Sequence, residues 1–535
     1  MKNIVITGFM ASGKTSCGQL AAQLLGREFV DTDALIETRT GKTVPQIFAE
    51  QGEPAFRALE AELCVELAAR ANLVIASGGG MLVDPANREV LAASSHLVCL
   101  RLSLAETLNR LNNLPRSGRP MLASEQSLQE RTAQLYQQRQ PAYDSIPWQI
   151  TCDGLTPQQI AGQIAQIARG EELPVRSPEG AYPIFIQEGL LTRAGWALRA
   201  AGLADGSRVV VVSNPTVAPL YAEPLQIALQ SAGFQPCLAL IPDGEAHKTL
   251  PTLANLYEHL LDLGLDRSGA ILALGGGVTG DVAGFAAASF MRGVRFVQMP
   301  TTLLSMVDAS VGGKTGVDLP RGKNLVGAFK QPECVLIDPL CLQTLPVAEL
   351  RSGMAEVIKH AALNDPDLFS QLVQRAGDLS IWWQESASQL LARAVSVKIK
   401  VVEADPFEKG QRALLNLGHT TGHALEQLSG FELRHGEGVA IGMLAAARIA
   451  ALMDLADPAL QERLRACLQA WELPVTCPPL PAADILAAMR HDKKKQASGL
   501  RWILPIQIGQ AEINNHVPDS VILDALVELG ARREP

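Results

Sequence analysis

What this 535-residue sequence has little of narrows it first. Positive charge is short: 46 Lys and Arg against 55 Asp and Glu leave a formal charge of -9. That argues against sequence-independent nucleic-acid binding, because affinity for a phosphate backbone needs a basic surface. Cysteines number nine, an odd count, and none falls into C-x-x-C; reduced thiols in a reducing compartment are expected, with no disulfide framework. A run of about 20 apolar residues, the length of a membrane span, is missing. The most apolar late stretch, Val439 to Met453, is alanine-rich and carries Arg448, which suits a buried helix. The opening MKNIVITGFM has one lysine and a few apolar residues before a glycine loop, too little for a signal peptide. Aromatics make up only 4%, while 47% apolar and 19% charged residues are ordinary for a globular chain. A cytoplasmic protein acting on small molecules is expected, with neither a nucleic-acid nor a membrane partner.

The chain is too long for one core, and at roughly 100 to 200 residues per domain it should form three or four units. From residue 1 to about 168, β-rich runs (Ile4-Val5-Ile6, Leu73 to Ala76, His96 to Leu102) alternate with helical periodicity, predicting a parallel α/β domain over 1-169. GEELPVRSPEGAYP, dense in proline and glycine, reads as a linker over 170-182. A second α/β domain is expected over 183-345, with strands at Arg208 to Val212, Pro236 to Ile241, Ala270 to Leu274 and Phe296 to Met299. Beyond Leu345 the pattern is helical to the end of the chain, apart from a late candidate strand at Leu500 to Ile508, and a cleft should separate the last two domains.

Gly8, Gly13, Lys14 and Thr15 form G-x-x-x-x-G-K-T directly after a strand, the setting of a P-loop. Backbone N-H groups there wrap phosphates, Lys14 reaches the β and γ oxygens, and the Thr15 hydroxyl can ligate magnesium. Asp31 and Asp33 end the next strand-like run, where one carboxylate can serve magnesium and the other an acceptor hydroxyl. Arg57, the triplet Gly78-Gly79-Gly80, Arg119 and Arg139 complete the set; any one arginine is more often a surface ion pair, and their joint arrangement carries the signal. The P-loop, D-T-D, F-R, G-G-G, GRPML and RQPAY occur in the order of shikimate kinase, which the domain resembles along nearly its whole length. The resemblance implies a Mg-ATP site drawing also on Ser12 and Ser16, with Asp31 joining Thr15 at magnesium. It implies shikimate held by Asp33, Arg57, Gly79, Gly80 and Arg139, with Asp33 receiving the reacting hydroxyl's proton and Arg119 on a lid over the phosphates. FMASGKTS departs from the expected G-A-G-K-S-like core. A small polyol such as gluconate is the rival acceptor, but it gives the arginines no carboxylate to hold.

ILALGGGVTGD, Ile271 to Asp281, contains G-x-G-x-x-G at Gly275, Gly277 and Gly280. A dinucleotide fold wants an acid about 20 residues on, yet none occurs from Val282 to Val307; Asp243 and Glu245 are placed to bind the ribose instead. Lys314, Lys323 and Asn324 lie among flexible glycines in an acidic protein, which suits an anionic ligand. His419 and His423 are four residues apart and share a helix face; with His435 and Glu356 they predict a metal site, and spacing alone nominates the first two as ligands.

DGExxK, GGGxxGD, PTTLLxxxDxSxGGKxGxD, GKNxxGxF, AExxKH, RxLLNxGHTxGHAxE and HGE together resemble 3-dehydroquinate synthase across residues 183 to 535. The resemblance implies zinc, or another divalent metal such as cobalt, on Glu356, His419 and His435, overruling the spacing. It implies NAD on Asp243, Glu245, Lys248, Gly277, Val278, Gly280 and Asp281, with further contacts from Thr301, Thr302, Lys314, Lys323, Cys341 and Thr344. The phosphosugar acid substrate would meet Arg292, Asp308, Lys314, Asn324, Lys359 and Lys398, then Arg412, Asn416, His423 and a lysine of HDKKK, Lys493 or Lys494. Lys314, Lys359, Lys398, Arg412, Asn416 and His423 would be catalytic in this half, as Lys14, Asp33 and Arg119 would be in the first. NAD would abstract and return hydride within one turnover. Asn214 and Thr216 stand where the family often has Asp and Asn. A metal-dependent polyol dehydrogenase is the alternative, but an uncharged polyol leaves the basic residues unexplained; a non-catalytic scaffold half would not need the reactive groups both halves retain. A homodimer through the second half is also expected.

Overall fold

The computed structural model describes residues 2-113, 127-146, 148-383, 387-408, 410-430, 432-493 and 500-533. It divides into two compact units, Met1–Gly170 and Glu171–Pro535.

The first unit is built on five parallel strands, β1 (Asn3–Gly8), β2 (Glu28–Asp31), β3 (Leu73–Ala76), β4 (Ser95–Arg101) and β5 (Trp148–Thr151), in the order β2-β3-β1-β4-β5. Ile4 pairs with Val74 on one side and His96 on the other, so β1 is central and every residue of it is buried. Burial on both faces explains why β1, β3 and β4 read as unbroken apolar runs. The chain leaves β1 toward β2 and β3, then crosses to β4, and the carboxyl end of β1 opens at that reversal, where α/β sheets bind ligands. Gly52, at φ 80°, breaks the helix Val44–Ala68. Pro54 thereby opens a second helical run, which carries Arg57 and Glu60 one turn apart.

The second unit holds a seven-stranded sheet from β6 (Glu171–Ser177), β7 (Gly180–Ile186), β8 (Arg208–Ser213), β9 (Gln235–Leu240), β10 (Ala270–Gly275), β11 (Arg295–Pro300) and β14 (Cys334–Ile337), ordered β6-β7-β14-β11-β10-β8-β9. Between β11 and β14 an antiparallel hairpin, β12 (Lys314–Leu319) and β13 (Gly322–Phe329), rises from the segment of glycines and lysines. The expected linker is corrected here: β6 pairs antiparallel with β7, Leu173 opposite Ile184 and Val175 opposite Tyr182. Its prolines mislead because Pro174 and Pro183 face each other on the edge hairpin, outside the β7–β14 pairing that begins at Ile184. A proline costs little where no ladder donor is required.

From Val347 onward the described chain is helical except for a hairpin, β15 (Trp502–Gln507) and β16 (Gln510–Asn514), which contains the late strand expected from sequence. The helix His435–Leu452 is nearly all buried, and Arg448 escapes by pairing with Glu528 at 2.9 Å. Among the described residues no helix is long and apolar enough to cross a membrane.

Candidate active sites

At the carboxyl end of β1 the chain turns at Gly8, φ 143°, where a side chain would run into the Leu100 carbonyl. Gly13, in the left-handed region at φ 89°, leads into the helix Lys14–Leu25 with no side-chain cap, so that its first N-H groups face the loop. Lys14 Nζ donates to the carbonyls of Gly8 (3.0 Å) and Phe9 (3.1 Å), and burial lowers its pKa. Thr15 Oγ1 donates to Asp31 Oδ2 at 2.7 Å, bringing a hydroxyl and a carboxylate together beside the loop, a donor set suited to magnesium. The other Asp31 oxygen caps the next helix through the N-H groups of Asp33 and Ala34.

Beside the loop, Arg139 Nη1 (3.2 Å) and Tyr143 Oη (2.6 Å) both donate to the Gly79 carbonyl, presenting a guanidinium next to the glycine turn. Arg57 donates to Glu60 Oε2 at 2.5 Å and to Glu53 at 2.8 Å, and packs so closely on Gly80 that a side chain there would displace its guanidinium. Asp33 Oδ1 and Glu60 Oε1 converge over Gly78, both buried without a hydrogen-bond partner. Burial, then the neighbouring Asp31, raises the Asp33 carboxyl. Sequence reading missed Glu60; its only signal is its place three residues after Arg57, on the same helix face. Arg119 lies outside the described residues.

In the second unit two adjoining cavities share Asp281, Asp308, Ala309 and Asn324. The larger, about 1180 Å³, is lined by Glu245, Lys248, Gly277, Val278, Lys323 and His423 among others. The helix Gly277–Ser289 points its uncapped N-terminus at it, the arrangement that binds a diphosphate. Lys248 bridges Asp281 Oδ2 at 2.5 Å and the Asn324 amide oxygen. Burial pushes the Asp281 carboxyl up to about 6 against the pull of Lys248. Gly280 follows one turn into the helix, and Thr302 packs on Gly276. Thr301 is buried and joins the β10 end through Gly275. Asp243 lies outside that lining, bound to Asn214 (3.2 Å) and Thr216 (2.6 Å), which places the two unexpected residues of VSNPTV on the proposed ribose acid. Cys341 is buried, and its carbonyl and the Thr344 hydroxyl both meet Tyr221 Oη.

The smaller cavity, about 590 Å³, gathers Lys314, Lys359, Lys398, Arg412, Asn324 and Asn416 around Asp308, Glu408 and His419. Lys398 is buried and donates to Asp308 Oδ1 at 2.6 Å. Burial alone would raise Asp308, yet the Lys398 ammonium holds it well below the usual carboxylate range. Lys314 pairs with Glu408, and Arg412 donates to the carbonyls of Pro406 (2.7 Å) and Gly312 (3.1 Å). So many cations in one pocket suit a ligand with more than one negative charge.

Against this pocket, the helix Val347–Asn364 delivers Glu356, fully buried with Lys359 at its Oε2. His419 Nε2 and His435 Nε2 lie 3.7 and 3.6 Å from Glu356 Oε1. Each ring is anchored through its other nitrogen, His419 Nδ1 to the Leu417 carbonyl at 3.2 Å and His435 Nδ1 to Glu426 Oε1 at 3.0 Å. Burial and Lys359 keep His419 neutral, as a ligand must be. Burial works against the charge on His435, but Glu356 and Glu426 raise it to about 10, a proton that a cation at Nε2 would displace. Two imidazole nitrogens and a carboxylate with fixed outer partners fit a divalent ion such as zinc. His423 is exposed on the same helix face, its ring centre 5.3 Å from His419, lining the larger cavity.

Arg292 is not brought to either cavity; it is exposed, in the left-handed region at φ 67°. Lys493 ends the helix Ala482–Lys493, and its side chain, like all of Lys494, lies outside the described residues.

Residues 10-169 match the shikimate kinase family, residues 238-352 the N-terminal and 353-495 the C-terminal domain of 3-dehydroquinate synthase. The chain is 47% identical over 355 residues to 3-dehydroquinate synthase of Synechocystis sp., covering 65% of this chain and 98% of that protein. It is similar to the structure of a 2-epi-5-epi-valiolone synthase from Streptomyces hygroscopicus subsp. jinggangensis with NAD+ and Zn2+ bound (32% identity, TM-score 0.60, 65% of this chain and 96% of that one). It is also similar to a 2-deoxy-scyllo-inosose synthase complexed with carbaglucose-6-phosphate, NAD+ and Co2+ (25% identity, TM-score 0.61, 67% and 100%).

Proposed function

We propose residue roles and domain limits for a chain that belongs to the 3-dehydroquinate synthase family and carries a shikimate kinase domain ahead of it. It is a bifunctional enzyme of the shikimate pathway: it phosphorylates shikimate with Mg-ATP and converts the seven-carbon phosphosugar acid 3-deoxy-D-arabino-heptulosonate 7-phosphate to 3-dehydroquinate and phosphate with NAD and a divalent metal. The kinase domain extends to Gly170. The synthase begins at β6, with an α/β part to about residue 345 and a helical part after it.

In the kinase, Lys14 and the P-loop amides hold the phosphates, with Thr15 and Asp31 at magnesium. Asp33, raised by burial, takes the proton of the shikimate hydroxyl, while Arg57 and Arg139 clamp the carboxylate.

In the synthase, Glu356, His419 and His435 hold the metal, and the larger cavity, with Glu245, Lys248 and the Gly277 helix end, holds NAD. When bound, NAD accepts and returns a hydride and the metal polarises the hydroxyl that is oxidised. Lys359, Lys398, Arg412 and Asn416 bind the phosphate and carboxylate, and His423, on the wall of the larger cavity, moves a proton near the leaving phosphate. The observation that carries this reading is the aim of both Nε2 atoms at one Glu356 oxygen beside a pocket of cations.

Phosphate release from the phosphosugar acid should proceed at catalytic NAD and stop with a chelator. Release that ignores the chelator, or that consumes NAD mole for mole, refutes it. A cytoplasmic homodimer through the synthase half completes the proposal; it would give the exposed Arg292 a substrate to contact, and sedimentation giving only a monomer rejects it.

A further inference from the structure

The helix His419–Leu428 carries a third acidic or basic group on the face that holds His419 and His423. Glu426 follows His419 by two helical turns and His423 by one, and its side chain is buried. Its Oε1 accepts from His435 Nδ1 at 3.0 Å. Its Oε2 lies 4.0 Å from Lys323 Nζ, which also stands 3.4 Å from Glu245. A histidine ring can offer either nitrogen to a cation, and the hydrogen bond made by the other nitrogen decides which. With Nδ1 held by Glu426, only Nε2 of His435 is left to face Glu356, at 3.6 Å. The same three side chains, His423, Glu426 and His435, come close enough to form a rival set of donors. A ring released from Glu426 could turn Nδ1 toward His423, away from Glu356.

We propose that Glu426 is the positioning residue of the metal centre: by fixing the tautomer and rotation of His435 it directs the cation to Glu356 and His419 and keeps it off the His423 side. This rests on the metal site proposed above. Glu426 reaches the wall of the larger cavity beside Lys323, but the metal centre feels it through its hydrogen bond to His435.

The test is zinc affinity of the full chain, measured by competition with a chromogenic chelator, for wild type, Glu426→Met, Glu426→Gln and His435→Ala. Methionine nearly preserves the buried volume and removes the acceptor; glutamine keeps an acceptor oxygen and removes the charge. Loss of an outer partner of a ligating histidine typically weakens metal binding about 10- to 100-fold. Glu426→Met, measured without NAD, is expected to lose zinc affinity in that range, and Glu426→Gln to recover most of it. Wild-type affinity in Glu426→Met overturns the inference, as does a glutamine variant as weak as the methionine one, which would assign the effect to charge alone. If Glu426→Met fails to fold, Glu426→Leu, which also removes the acceptor, takes its place: a loss of 10-fold or more supports the inference and wild-type affinity overturns it. Zinc retained by His435→Ala would instead reject the metal site itself, separating the two failures.

Discussion

Replacing Glu60 with glutamine should stabilise the kinase unit at neutral and alkaline pH while impairing it as an enzyme. Glu60 is wholly buried, and burial lifts its carboxyl from 4.5 to about 7, further than the Arg57 guanidinium pulls it down. A folded-state value above the unfolded one means that the folded unit binds this proton more tightly. The stabilisation is therefore complete below about pH 4.5 and is lost as pH rises through about 7. A shift of about 2.5 units at about 1.36 kcal/mol each amounts to about 3 kcal/mol. Glutamine keeps the neutral shape at every pH, so the variant's gain over wild type should be near zero at pH 4.5 and grow to about 3 kcal/mol at pH 8. Hydrogen exchange of peptides from β1 and β3, followed in increasing urea at several pH values, reads the opening free energy of this unit alone. The same change loosens Arg57, so KM for shikimate should rise about tenfold, the size of one lost charge-assisted bond. A stability difference flat with pH, or a variant less stable at pH 8, would refute the reasoning by showing that the Arg57 pair outweighs the desolvation of Glu60.

Lys14→Ala should abolish shikimate phosphorylation and leave 3-dehydroquinate formation intact, because the two sites lie in separately compact units; parallel assays on one preparation check this, and loss of both activities in a folded variant would mean that the units are coupled. His435→Ala should lose zinc and synthase turnover together, whereas His423→Ala should retain zinc and lose turnover. Bound metal in the two purified variants decides, and the reverse pattern would make the His419 and His423 pair the true clamp. At Gly422 an added methyl would sit 2.9 Å from the Gly438 backbone of the crossing helix. Gly422→Ala should accordingly cost about 1 to 3 kcal/mol and lower zinc affinity by separating His419 from His435; an unchanged urea midpoint and unchanged affinity would show that the helices yield freely.

Local chemistry determined much of this protein before folding is considered. A P-loop is legible because only glycine tolerates the backbone at Gly8 and Gly13, and the central strands are legible because burial on both faces demands unbroken apolar runs. The cation pocket showed itself as lysines among glycines in an acidic chain, though not its depth. Tertiary structure decided what spacing could not. Helical periodicity sets His419 and His423 side by side, but a metal needs donors converging from different directions, and Glu356 and His435 arrive on two other helices. Nothing local in the sequence marks Glu60 or Glu426 as buried, and only packing buries them and turns them toward Arg57 and His435. Residues 170-182 look like a linker because proline and glycine are local signals, whereas a strand's existence depends on its partner. That partner, β7, supplies the pairing, and an edge position excuses the prolines.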